Sequence, residues 1–183
     1  MVVTVGRYCG AMERIASKTV HEGPRVVVRH ERWRHDDGGV AEREVAEVDD
    51  AVTIVPYDDD AVYLVRQPRE PVGEERLLEL PAGKLDVDGE TPLECAQREL
   101  EEEIGRRASD WREVKRFYPA PGFATEAMTL FLATGLERVE GHQPDPEERI
   151  EIVAWPLDEL DGAIAECVDA KSLVGLYVLR ALR

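Results

Sequence analysis

Residues 83–106 read GKLDVDGETPLECAQRELEEEIGR. The stretch opens on Gly83, turns through Asp86 to Gly89, and has the signals of a helix from Thr91 onward. Thr91 can cap, Pro92 suits the first turn, and Glu94 completes a capping box. Gly105 is the expected stop. At about 100° per residue, Leu93, Ala96, Leu100 and Ile104 form one apolar stripe, predicted to face the core. Glu99, Glu102 and Glu103 form a second stripe beside it, with Arg98 next to Glu102. Like charges at these spacings repel by a few tenths of a kcal/mol per pair, so the crowding needs a cause. Two causes are open. One is a solvated acidic face. The other is a half-shielded site for a divalent cation, whose charge relieves the repulsion. Oxygen-only donors select hard ions such as Mg²⁺ or Mn²⁺.

The rest of the chain sets bounds on this choice. Its 183 residues suggest one domain with a small extension, and 43% apolar residues make it globular. The net charge of −16 comes without a basic run, which argues against nucleic acid as the main partner. Three cysteines, Cys9, Cys95 and Cys167, are odd in number and far apart. That fits a reducing compartment better than a disulfide framework. The first residues lack the pattern of a signal peptide, and no apolar run approaches the ~20 residues of a membrane span. A cytoplasmic protein is expected.

Around the quoted stretch, Arg25 to His30 and Val40 to Val48 flank the turn signal DDGG and read as a hairpin. Residues 51–57 (AVTIVPY) and 61–67 (AVYLVRQ), joined by Asp58 to Asp60, read as a second hairpin. Residues 66–73 (RQPREPVG) have loop chemistry. Residues 113–123 begin as a strand and end in a Pro/Gly turn, 128–136 suggest a buried strand, and 149–155 alternate like a strand. Two helices are predicted at the end, in PLDELDGAIAECV and DAKSLVGLYVLRALR. This pattern predicts α/β layers around a mixed sheet.

The quoted stretch resembles the Nudix box, in which Gly83, Glu90, Arg98, Glu99, Leu100, Glu102, Glu103 and Gly105 fill the specified places. Two departures occur. The spacer from Lys84 to Gly89 is one residue longer than the pattern, and Arg106 occupies an apolar position. The resemblance implies a Nudix-type α/β/α sandwich with a mixed central sheet and an N-terminal strand extension. Residues 1–48 would be that extension and 49–183 the hydrolase domain. It also implies metal-dependent hydrolysis of a diphosphate linked to another group. The metal, Mg²⁺ or Mn²⁺, would be held by Glu99, Glu102, Glu103 and the backbone carbonyl of Ala82, with Glu102 also counted as catalytic. Arg98 would orient a glutamate, and Glu90 would support the ligands. Glu147 and Glu148 are the candidates for a base, Glu148 directly preceding the RIEIV strand.

LLELPAGKLD, YPAPGF followed by TE, LFLATGL and DAKSLVGL resemble the ADP-ribose pyrophosphatase group of that family. This implies a small-molecule substrate, ADP-ribose, cut to AMP and ribose 5-phosphate, and a homodimer with crossing N-terminal strands. Carried over by position, Arg69 contacts the diphosphate or nearby ribose, and Glu79 lies near the ribose hydroxyls. Gly122, Phe123 and Glu126 fall in a substrate-side loop. Arg43 matches a nucleobase-facing arginine that is often donated by the other subunit. Trp33 is either an adenine platform or a packed strand residue. Two other readings stay open: a hydrolase of another nucleoside diphosphate sugar, such as GDP-mannose, and a non-catalytic nucleotide sensor.

Overall fold

The computed structural model describes residues 10–141 and 149–183 and divides into two compact units. One comprises residues up to Val48 together with Ala120–Glu126; the other comprises Asp49–Pro119 and Ala127–Arg183.

The first unit is built on a three-stranded antiparallel sheet, β1 (Met12–Glu22), β2 (Val27–His35) and β3 (Val40–Glu47), in that order. The expected hairpin is β2–β3, closed by His35 N–H donating to Gly39 O at 2.9 Å. Strand β1 was not legible in the sequence. Ten of its eleven residues are exposed, so no buried face imposes an apolar alternation; its structure is the backbone ladder to β2. Residues 120–126 lie along the end of β3, where Ala46 N–H donates to Phe123 O at 2.7 Å and Thr125 N–H to Ala46 O at 3.0 Å.

The second unit contains two sheets. A mixed one runs β7 (Ala82–Lys84), β4 (Ala51–Pro56), β9 (Met128–Arg138), β8 (Arg106–Phe117), with β4 parallel to β9. An antiparallel one runs β10 (Glu151–Pro156), β5 (Ala61–Arg69), β6 (Glu74–Glu79). Helix α1 (Pro92–Ile104) covers one face, and α2 (Leu160–Glu166) and α3 (Ala170–Ala181) cover the other. Alternation along the strands shows this directly. Val52, Ile54, Ala61, Tyr63, Val65, Phe131 and Ala133 pack with Ala96, Leu100 and Ile104 of α1. Val55, Val62, Leu64, Leu130 and Leu132 pack with Leu160, Ile164, Leu176 and Leu179. Strands covered on both faces become largely apolar, which is why β4 and the first half of β9 read as hydrophobic runs broken only by Thr53 and Thr129. The layering is the expected α/β/α sandwich with a mixed sheet, and a second, antiparallel sheet shares its middle layer.

This division overturns the second predicted hairpin. Strands β4 and β5 share no ladder: an isolated Tyr57–Val62 bridge closes the turn between them, and the strands belong to different sheets. The turn between them is tight because Asp58 Oδ1 accepts the N–H groups of Asp60 and Ala61 at 3.0 and 2.9 Å. Turn chemistry is local, whereas strand partnership is decided by β6, β7, β9 and β10 competing for the same edges. Residues 66–69 likewise belong to β5 rather than to a loop, and a short 3₁₀ turn, Glu70–Val72, follows.

Helix α3 approaches β4 closely at Gly175. A β-carbon there would stand 2.3 Å from Leu80 Cδ1 and 2.9 Å from Val55 Cγ2, so only glycine lets the helix seat.

Candidate active site on helix α1

Helix α1 begins and ends as its sequence requires. Thr91 Oγ1 accepts the Glu94 N–H at 3.3 Å and Glu94 accepts the Thr91 N–H at 2.8 Å, a complete capping box. Gly105 adopts a left-handed conformation (φ 62°) and closes the helix on Glu101 and Leu100 carbonyls. The predicted apolar stripe needs correction at its first member. Leu93 is exposed, while Cys95 and Glu103 join Ala96, Leu100 and Ile104 on the buried side. The helix therefore sits rotated toward its glutamate edge, against β7.

That rotation gives the three glutamates different surroundings. Glu103 is 6% exposed and accepts the Ala82 N–H at 3.1 Å. The Glu99 side chain, 13% exposed, occupies the space above Gly83: a β-carbon on Gly83 would lie 1.9 Å from Glu99 Cδ. Glu102 is the outlying member, with its side chain 56% exposed.

Arg98 ties the group together. Its guanidinium donates to Glu90 Oε1 (2.9 Å) and Oε2 (3.1 Å), to Glu99 Oε1 (2.6 Å), to Glu102 Oε2 (2.9 Å) and to Lys84 O (3.3 Å). The Glu90 bonds come first among the effects that raise the Arg98 pKa above its usual value, and they hold the Glu90 carboxyl below its own. The acidic crowding is thus relieved in part by an internal cation, a partner that the helix wheel did not reveal beyond the Arg98–Glu102 adjacency. Glu90 is linked to Glu99 and Glu102 through Arg98. Cys95 is no nucleophile: burial pushes its thiol up to about 12, and Sγ donates to Lys84 O.

Among the described residues, no three carboxylate, histidine or cysteine side chains converge closely enough to enclose an ion. The donor chemistry nevertheless fits a hard divalent cation. Glu99 and Glu103 are one helical turn apart, both face the β7 backbone, and the nearby donors are oxygens.

A second charged group lies where β5, β6 and α3 meet. Glu79, 1% exposed, receives Arg69 Nε at 2.6 Å on Oε1 and Arg69 Nη2 at 2.9 Å on Oε2. Lys171 Nζ also donates to Oε2 and donates to Asp169 Oδ2 at 2.8 Å. Asp169 caps α3 by accepting from Ser172 N (3.0 Å) and Oγ (2.5 Å), and Ser172 Oγ accepts the Leu80 N–H at 2.7 Å. Burial alone would raise the Glu79 carboxyl; the Arg69 hydrogen bond and the Lys171 charge outweigh it and hold Glu79 below its usual range. Asp169 is held low in the same way, burial being outweighed by Lys171 and Ser172.

A depressed carboxyl contributes stability that is present above its unfolded pKa and is lost as pH falls through the folded value. For Glu79 the loss starts below the ordinary 4.5. Replacing Glu79 by Gln is expected to cost about 3 kcal/mol at neutral pH by leaving Arg69 without its carboxylate and Lys171 with Asp169 alone. It should also flatten the acid limb of the melting profile. An acid limb of wild-type slope in the variant would remove Glu79 from this account.

The sequence motif DAKSLVGL contains Asp169, Lys171 and Ser172, and the motif alone does not assign them to a site. The available signal was the Asp-to-Ser N-cap spacing ahead of an apolar helix. Arg43, Gly122, Phe123 and Glu126 all belong to the other compact unit. Arg43 sits mid-strand in β3 and donates to Glu42 O at 2.7 Å; Phe123 is 62% exposed in the turn that hydrogen-bonds to Ala46. Trp33 is half-buried and donates to Glu31 Oε2 at 3.0 Å. Glu147 and Glu148 lie outside the described residues. The apolar place filled by Arg106 is explained: its guanidinium lies 3.9 Å over the Tyr63 ring, whose hydroxyl donates to Asp58 at 2.6 Å. A cation over an aromatic face covers that apolar surface and adds about 0.5–1 kcal/mol.

The profile described as NUDIX domain matches residues 47–172. A protein of Mycobacterium tuberculosis named ADP-ribose pyrophosphatase is 38% identical over 93% of this chain and 84% of its own. One of the same name from Bacillus subtilis is 32% identical over 91% of each. A solved structure described as an ADP compounds hydrolase superposes with a TM-score of 0.80 at 25% identity, covering 93% of both chains.

Proposed function

The chain belongs to the Nudix family, and from that premise we propose that it hydrolyses the diphosphate bond of ADP-ribose to AMP and ribose 5-phosphate. The observation that carries the reading is the glutamate edge of α1 seated on β7, Glu99 against Gly83 and Glu103 against the Ala82 N–H. Glu99, Glu102, Glu103 and the Ala82 carbonyl would hold Mg²⁺ or Mn²⁺, which when bound neutralises phosphoryl oxygens and acidifies a water. Arg98 keeps Glu99 and Glu102 oriented toward each other. Arg69 offers an exposed guanidinium edge to the diphosphate, and Glu79, proposed to lie near the ribose hydroxyls, fixes Arg69. Glu148 or Glu147 is the proposed base. Water adds to one phosphorus, the bridging P–O bond breaks, and the proton of the water passes to that base.

Arg43, Gly122, Phe123 and Glu126 are the proposed contacts for base and ribose. Residues 1–48 are proposed as a dimer-forming extension of a hydrolase domain spanning 49–183, and the protein as a cytoplasmic homodimer whose partner is a small molecule. The antiparallel sheet of the extension supports this reading, with β1 at its edge. No helix among the described residues is long and apolar enough to cross a membrane.

The test is product release from ADP-ribose, GDP-mannose, NADH and diadenosine polyphosphates with Mg²⁺. ADP-ribose should lead in kcat/KM by about tenfold or more, the scale that a few base and sugar contacts provide. A larger value for GDP-mannose would reassign the base and sugar contacts. Mg²⁺ alone should also raise the melting temperature, since at about 100 times Kd a ligand that binds only the folded state adds about 2.7 kcal/mol. A flat melting temperature across millimolar Mg²⁺ would count against a preformed site.

A further inference from the structure

We infer that Lys171, held by Asp169 at the start of α3, is a positioning residue that fixes the substrate-facing guanidinium of Arg69 through the buried carboxylate of Glu79. The inference rests on the reading of Arg69 as a diphosphate contact.

The geometry is a chain of three links. Asp169 is the N-cap of α3, so its carboxylate is anchored by Ser172 N–H and Oγ. It holds Lys171 Nζ at 2.8 Å, and the Lys171 side chain is 11% exposed. Lys171 then donates to Glu79 Oε2, the same oxygen that receives Arg69 Nη2. A carboxylate gripped by Arg69 alone could rotate with it as a pair. With Lys171 fixing Oε2 from the helix side, the carboxylate plane is set, and with it the plane of the guanidinium that bonds it through Nε and Nη2. Nη1 makes no bond among the described residues, and the Arg69 side chain is 41% exposed. The third nitrogen is therefore left to an anion arriving from solvent. The placement matters in a chain of net charge −16, where a diphosphate needs a cation already in place. Ser172 Oγ, accepting the N–H of Leu80 next to Glu79, ties the same helix turn to the end of β6.

A purely structural ion pair would affect melting and the fraction of active enzyme, leaving KM for ADP-ribose unchanged. A positioning role moves KM. Substituting Lys171→Met should raise KM about tenfold, more than it lowers kcat, and Lys171→Arg should recover part of that loss. In the double variant with Arg69→Ala, the Lys171→Met effect should vanish, because its route to substrate is gone. An activity-independent readout accompanies these: the Nε–H resonance of Arg69, assigned by its loss in Arg69→Lys. It should exchange slowly in the wild type and at least about tenfold faster in Lys171→Met, as the Arg69–Glu79 pair, no longer fixed from the helix side, opens more often to solvent. If the wild type does not cleave ADP-ribose, the proposed function falls and this resonance alone decides the positioning role. Should Lys171→Met not fold, Asp169→Asn takes its place, since asparagine caps a helix as well as aspartate but grips Lys171 without a charge. An unchanged KM in a folded, active variant, or an unchanged Arg69 resonance, overturns the inference.

Discussion

Glu103→Gln is expected to lower kcat/KM by about three orders of magnitude, because the several kcal/mol of charge stabilisation lost with a metal ligand correspond to that factor. Folding should survive. Glu103 is 6% exposed and accepts the Ala82 N–H at 3.1 Å. A glutamine oxygen can accept the same N–H in the same volume, so the melting temperature should move by no more than about 2 °C. Steady-state kinetics with ADP-ribose beside a melting curve separates the two effects. Activity within tenfold of wild type in the folded variant would take Glu103 out of the ligand set.

The second large effect is expected at Gly83. An alanine β-carbon would lie 1.9 Å from Glu99 Cδ, 2.0 Å from Oε1 and 2.2 Å from Cγ, all impossible contacts. The clash is with a side chain, so the helix and β7 need not separate; Glu99 must swing away instead. A displacement of about 1 Å in a reacting constellation can cost about a hundredfold, and Gly83→Ala should lose on that scale with little change in stability. The cause is checked by a double-mutant cycle. In a chain already carrying Glu99→Ala, the added Gly83→Ala should have almost no further effect. Full additivity would mean that Gly83 acts through something other than Glu99.

These expectations draw unequally on sequence and structure. The limits of α1 were legible because capping is local: Thr91, Pro92, Glu94 and Gly105 act on backbone groups within one turn. The glutamate edge was legible because a helix has one period. Strands β2, β3, β9 and β10 were visible where a buried or alternating pattern recorded their environment. Strand β1 was invisible because it is exposed on nearly every residue. The sequence suggests a β4–β5 hairpin that does not form, because turn signals say where a chain reverses and are silent on which strands then pair.

In the site, the sequence identified Glu99, Glu102, Glu103 and Arg98 by spacing, and the family by the pattern they make with Gly83 and Gly105. It could not show that Glu103 would be buried and Glu102 exposed, since the helix's rotation is set by the packing of Cys95, Ala96 and Leu100 against β4 and β5. Nor could it join Arg69, Glu79 and Lys171, the first and last of which are 102 residues apart. Composition and local periodicity are properties of neighbouring residues, and they determined the helix, its acid edge and the layered class. Contacts between distant segments depend on which burial of apolar surface wins overall, so the charged junction behind Arg69 and the two-sheet middle layer were decided only when the chain packed.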